Sequence, residues 1–323
     1  MTWRQFLVLA VVVSLFPTAA HASCGSEQCP IDLGLPWEHS VFTFDLSQQY
    51  IDQDQPRVGT HDVAVGAIPS PEDEVRTLNR ISTARGVYRP TALWSIAASL
   101  PFVSRYHEHI HNEVGLPPER QRWSYDGVGD LQVQATRLFG GAQPQGVRYS
   151  LTAGLKAPTG LTEVPTDNGE QPEPPARPGD GAWSFLAGAG VEWRVSAKMP
   201  GGAYGSLPIR LSAQGRANGR GTEDYRVGSE AQLHLGSDYP LTRAVGIGLS
   251  ADARVRAKDD VGLTDAEPGN TGGSWVYLSP GFRISPRGGT ALYGGVQLPV
   301  YRRINGINIV SDRNFYAGLT RAF

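Results

Sequence analysis

The sequence predicts an all-β protein, a transmembrane antiparallel β-barrel of about 12 strands with short turns at the periplasmic rim and long loops at the outer one. Three observations carry this. The chain opens on an export leader, its body is a series of alternating apolar and polar segments, and the last of these, Asn314 to Phe323, alternates until it stops on an aromatic residue. A closed barrel pairs its final strand with its first, so the fold is expected to run to the last residue.

In the leader, Arg4 supplies the positive start, Phe6 to Phe16 the short apolar run and Ala20-His21-Ala22 the small-residue cleavage pattern. The expected division is a leader over 1–22, a periplasmic segment over 23–39 and a barrel over 40–323. After the leader no apolar run approaches the roughly 20 residues of a helical span. The 39 glycines, 12 tyrosines, 7 tryptophans and only 2 methionines suit tightly turned strands with interfacial aromatics. A low mean hydropathy fits as well, because a barrel shows lipid only every second side chain. Without Arg4 the 29 Lys and Arg become 28 against 31 Asp and Glu, a balance of −3 that predicts no nucleic-acid partner.

Alternating segments place strands near 40–53, 74–89, 92–106, 127–139, 146–158, 182–197, 206–217, 223–236, 243–258, 274–285, 290–303 and 312–323. The connections 54–73, 107–126, 159–181 and 259–273 are long and are expected outside. Short turns are expected at 89–91, 140–144, 199–202, 237–240 and 286–289 on the periplasmic rim. The short link 218–222 breaks the pattern. Trp94, Ile96, Ala98, Leu100 and Phe102 form one face of the third strand, and Ser95, Ala97, Ser99 and Pro101 the other. In the fifth, Val147, Tyr149, Leu151, Ala153 and Leu155 oppose Arg148, Ser150, Thr152, Gly154 and Lys156. Lipid outside and water or polar packing inside would produce this. A soluble sandwich would rarely join such long strands to a polar face charged in nearly every one. Pro101, Pro158, Pro280 and Pro299 remove ladder donors and should each mark a bulge or weakened pairing.

The stretches Ser23-Cys24-Gly25-Ser26-Glu27-Gln28-Cys29-Pro30, Tyr50 to Gln55, Glu74 to Arg80 and Leu100 to His111 resemble a group of uncharacterised bacterial outer-membrane barrels labelled as transporters. That group is similar to the outer-membrane proteins of the MetA pathway of phenol degradation. The resemblance is strongest in the first third of the chain. It implies a barrel in the bacterial outer membrane, with lipid and the barrel-assembly machinery as partners and a transport role, and it brings no site residues.

Cys24 and Cys29, the only cysteines, sit just after the cleavage site. In an oxidising compartment such a pair most often forms a structural disulfide; a soft metal such as Cu(I) is the alternative. A lipid anchor is disfavoured by His21, where a lipoprotein leader wants an apolar residue. His107, His109 and His111 recur at a spacing of two, so on an extended strand their imidazoles share one side and could ligate Zn or Cu. A solvated histidine-rich rim is the bland reading and the stronger one. No cofactor is otherwise implied.

Charged residues on polar faces are lumen candidates: Asp130, Arg148, Lys156, Glu192, Arg194, Arg210, Glu230, Asp252, Arg254 and Arg283. Arg76 and Arg80 are ambiguous in facing. Mixed signs suit internal ion pairs that fill the barrel, or a narrow pore with both signs at its constriction. Twelve strands tilted by about 40° enclose a backbone radius of roughly 12 Å, room for a small-solute path or for none. No His-x-Ser strand or other nucleophile signature suggests an enzyme, and His234 stands alone between Leu233 and Leu235. The function expected is a channel or transporter component for a small solute. A metal-associated barrel, a membrane hydrolase and a structural barrel with a filled lumen are the alternatives.

Overall fold

A computed structural model of the chain describes residues 40–323 apart from 68–71, 113–116, 141–145, 170, 200, 202–203, 243, 265–267 and 287–288. The leader, the segment 23–39 and with them Cys24 and Cys29 lie outside the described residues. Among the described residues fourteen strands form one antiparallel sheet. They are β1 (Phe42–Val58), β2 (His61–Asp62), β3 (Glu72–Thr91), β4 (Trp94–His111), β5 (Glu119–Val128), β6 (Leu131–Phe139) and β7 (Val147–Ala157), followed by β8 (Ser184–Lys198), β9 (Tyr204–Asn218), β10 (Glu230–Pro240), β11 (Val245–Arg256), β12 (Gly273–Ile284), β13 (Thr290–Ile304) and β14 (Ile307–Ala322).

Twelve of them close into a barrel, because β14 pairs with β1 from Ala322 opposite Thr43 to Ile307 opposite Val58. The seam is completed at the C-terminus, where the Phe323 amide donates to the Phe42 carbonyl at 2.9 Å and the two rings lie 6.0 Å apart. β2 and β5 are additions: β2 hairpins onto the outer end of β1, and β5 pairs with the outer half of β4. A row of paired residues starts at Phe42, the foot of β1. It passes through Tyr88, Ile96, Ala135, Ala153, Ala187, Gly215, Ala231, Val255 and Ser274 to Arg303, beside the outer end of β13. The strands are thus strongly tilted, as closure requires.

Alternation decides which side chains face lipid. Phe44, Leu46, Ile96, Leu100, Leu151, Phe185, Leu235, Leu249, Leu278, Phe282 and Leu319 are exposed on the outer surface, while their neighbours in each strand point inward. Aromatics mark the end where the final strand closes on the first: Phe42, Tyr88, Trp94, Phe139, Tyr149 and Phe323 are all exposed there. The Arg137 guanidinium lies 5.4 Å from the Trp94 ring and 5.2 Å from that of Phe139, a cation held at the level of an interfacial girdle.

Several expected boundaries move. Residues 107–126, expected as a long outer loop, are largely strand: β4 continues to His111 and β5 begins at Glu119, with Glu108 and Arg120 paired on the outside. The strand expected at 127–139 is broken at Gly129-Asp130, where one extra residue faces Pro101 and the Gly129 amide donates to the Pro101 carbonyl at 2.8 Å. β5 and β6 therefore follow one another down β4 across a bulge opposite a proline that cannot donate, and only β6 pairs onward with β7. Pro299 marks a second bulge, at Val300. Pro158 follows the end of β7, and Pro280 sits where β12 and β13 lapse in pairing between Leu278 and Gly281.

The eighth barrel strand begins at Glu230 instead of residue 223, so the link 219–229 is an outer loop with a 3₁₀ turn at Thr222–Asp224. Ser237 to Pro240 belong to β10; the turn lies beyond, where the Thr242 hydroxyl accepts from the amides of Ala244 and Val245. The last outer connection is only Asn305-Gly306. Asn-Gly suits a tight hairpin, and Gly306 has φ 54°, with the Gly269 carbonyl so close that a Cβ would meet it at 2.4 Å.

Candidate functional site

The inward face builds the site. At mid-height it carries small polar residues beside the His234–Asp252 pair: Ser150, Thr152, Gly188, Gly190, Ser212 and Gln214 line a cavity of about 230 Å³. Glycines at 188 and 190 leave that volume, since any side chain there would project into it from β8. Below and above the waist the cavity wall is charged.

Six of the expected lumen residues line the cavity: Arg148, Glu192, Arg210, Asp252, Arg254 and Arg283. Glu192 accepts from Arg194 at 3.1 Å and from Arg210 at 3.2 Å, and Arg210 also reaches Asp238 at 2.8 Å. Arg254 holds Glu230 at 2.9 Å and lies over the Trp275 ring, while Arg216 stands 3.4 Å from the same carboxylate. Arg283 donates to the Ser285 hydroxyl at 2.9 Å.

Asp130 and Lys156 serve a different purpose. Lys156 bridges Asp130 at 2.6 Å and Asp180 at 2.5 Å, and Asp130 accepts the Gly160 amide at 2.9 Å, so this triad pins the long outer loop 158–183 to the wall. That loop folds against the inner face of β4 and β5. Arg105 and the Tyr125 hydroxyl both donate to the Ala176 carbonyl, and Val164 and Ala176 are buried with Val103, Trp123 and Tyr125. Three chain segments touch through glycines: a Cβ on Gly160 would lie 2.7 Å from the Gly129 carbonyl carbon, and one on Gly179 2.7 Å from that of Gly160. Arg177 then reaches across to Glu223 of the loop 219–229 at 2.6 Å. The outer mouth is thereby narrowed from one side.

His107 and His109 do share the inward face, with rings 5.3 Å apart, and both are buried. They are not on a solvated rim. The His107 ring lies tilted against that of Trp123, with centroids 4.6 Å apart, and its Nδ1 bonds the Thr77 hydroxyl at 2.8 Å. His111 ends the same strand face. Among the described residues no group of three or more His, Cys, Asp or Glu is arranged to hold a metal ion, so the spacing brings two imidazoles together and spends one of them on a structural bond.

Three features escape a reading by spacing alone. His234 is no lone histidine: its Nδ1 lies 2.6 Å from Asp252, whose other oxygen accepts from the Ser250 hydroxyl at 3.0 Å. Arg85 and Arg89 line the cavity from β3; the signal is their shared face with Thr83 and Val87. Asp45 is inward too, accepting from Thr320 at 2.6 Å and from Tyr293 at 3.0 Å. Arg76, by contrast, faces outward and pairs with Asp52 at 2.6 Å, and Arg80 is exposed.

A closed, lipid-faced antiparallel barrel with a polar interior has the fold of an outer-membrane β-barrel. Among solved structures, the COG4313 outer membrane channel from Pseudomonas putida F1 superposes with a TM-score of 0.62, over 92% of this chain and 100% of that one, at 13% identity. The transport unit of the autotransporter AIDA-I from Escherichia coli gives 0.55, over 91% and 93%, also at 13%. At such identities the likeness is one of fold. No protein-family model matches the chain and no curated protein does.

Proposed function

We propose that this chain is a channel of the bacterial outer membrane, exported by its leader, through which a small solute diffuses along a polar, charge-lined lumen. The observation that carries this is the cavity of about 230 Å³ inside a closed barrel, walled at its waist by glycine, serine, threonine and glutamine. A solute passing there meets hydrogen-bonding groups and few bulky side chains, while charges on either side set its preference. The fold shared with an outer membrane channel agrees with this reading.

A structural barrel with a filled lumen is the second reading, favoured by the loop 158–183 seated in the outer mouth. Swelling of liposomes carrying the folded protein separates the two. Small solutes such as glycine or acetate should enter and swell the vesicles, with rates that fall as solute size increases. Rates equal to protein-free vesicles for every solute would establish the filled barrel instead.

A further inference from the structure

We propose that the lumen prefers small anions, carboxylates foremost, and that an excess of arginine in its periplasmic half makes the choice. The inference rests on the channel reading above and names its solute class.

Inward arginines gather toward the periplasmic ends of their strands. Arg85 and Arg89 come from β3, Arg148 from β7, Arg210 from β9 and Arg283 from β12, all lining the cavity, and Arg194 follows Glu192 on the same face of β8. The register sets them in three groups: Arg148 stands opposite Glu192 and Glu192 opposite Arg210, Arg283 stands opposite Tyr293, and Asp45 opposite Arg85. Among the described residues three acids face the same region, Asp45, Glu192 and Asp238. Two of these are engaged by arginine, Glu192 by Arg194 and Arg210, and Asp238 by Arg210. The third, Asp45, stands opposite Arg85 and accepts from the hydroxyls of Thr320 and Tyr293. Six guanidinium groups against three carboxylates leave this half of the lumen cationic.

Charge elsewhere does not cancel it. The waist carries hydroxyl and amide groups beside the His234–Asp252 pair. Toward the outer end, Arg254 and Arg216 share Glu230, Arg256 meets Asp259, and Lys156 lies between Asp130 and Asp180. Arginine keeps its charge at every pH the fold survives, and low-dielectric walls focus the field of the net positive charge onto the path. The planar guanidinium fork also matches carboxylate geometry, so acetate-like solutes gain contacts that chloride does not.

The test is the reversal potential of the full-length protein in a planar bilayer under a KCl gradient, repeated with potassium acetate. Chloride and acetate permeabilities several-fold above that of potassium are expected. Arg148→Gln combined with Arg283→Gln, which leaves both arginine partners of Glu192 in place, should reduce that preference while current steps persist. Open steps with no preference, or a preference for potassium, overturn this inference alone. So does unchanged selectivity in the double variant. Silence from folded protein overturns the channel reading together with it. The wild-type measurement stands even if the double variant does not fold.

Discussion

Asp259→Ala should loosen the outer face of the barrel at a cost of about 3–5 kcal/mol, the penalty for leaving a buried arginine without its carboxylate. The Asp259 side chain is fully buried, and its bonds hold the end of β11 and tie two outer loops together. Its oxygens accept from the Arg256 guanidinium at 2.9 and 3.0 Å, from the Tyr225 hydroxyl at 2.7 Å and from the Gly228 amide at 2.7 Å. Its own amide donates to Thr271 at 2.9 Å. The loops 219–229 and 257–272 are therefore joined at this carboxylate, beside the backbone pairing of Arg226 with Asp260, and Glu223 of the first holds Arg177 of the loop in the mouth. Trypsin should cut the variant at Arg220 and Lys258 much faster than the parent, and its midpoint in urea should fall. Asp259→Asn keeps one acceptor and should lie between. Unchanged proteolysis and midpoint would show that the loops are held by other contacts.

Leu249→Arg should cost about 2–4 kcal/mol, because it places a cation on the lipid face near the membrane midplane. Leu249 is 54% exposed on the outer surface at the middle of β11, among Leu235, Ile247, Leu278 and Phe282, which are also exposed. Arginine there must thin the bilayer or reach for a headgroup. Val255→Arg, near the outer end of the same strand, should cost no more than about 1 kcal/mol, since the penalty fades toward the interface. Equilibrium unfolding from lipid vesicles measures both. Equal costs at the two positions would contradict the assigned lipid belt.

The barrel itself is legible in the sequence, and the reason is period. Where lipid lies on one side and a polar lumen on the other, each strand must alternate, as in Trp94 to Phe102 and Val147 to Lys156, and the facing of Glu192 and Arg194 opposite Phe185 and Trp193 follows from the same rule. The outer halves of β4 and β5 are not legible in that way. Above the lipid their outward residues, Glu108, Arg120 and Arg122, are as polar as a loop, so the apolar half of the alternation disappears although the strand continues. The Asn305-Gly306 hairpin carries a clear local signal, but beyond it Ile309 and Val310 are adjacent, apolar and both buried, which breaks the alternation that marks the other strands. Pairings across strands, His234 with Asp252 or Lys156 with Asp180, depend on register and on how the loop 158–183 folds inward, and neither is written in local spacing.

The central claim is that solute moves through the lumen past its small-residue waist, and single-channel recording of the parent beside Ser212→Trp tests it most directly. Ser212 lines the cavity between Gly190 and His234 in the register of β8, β9 and β10, so an indole there fills the waist without touching the lipid face. The parent should give discrete current steps, and the variant, shown to be folded by its heat-modifiable migration on gels, should give steps cut several-fold or none. A silent but folded parent, or equal conductance from the two proteins, would contradict the account.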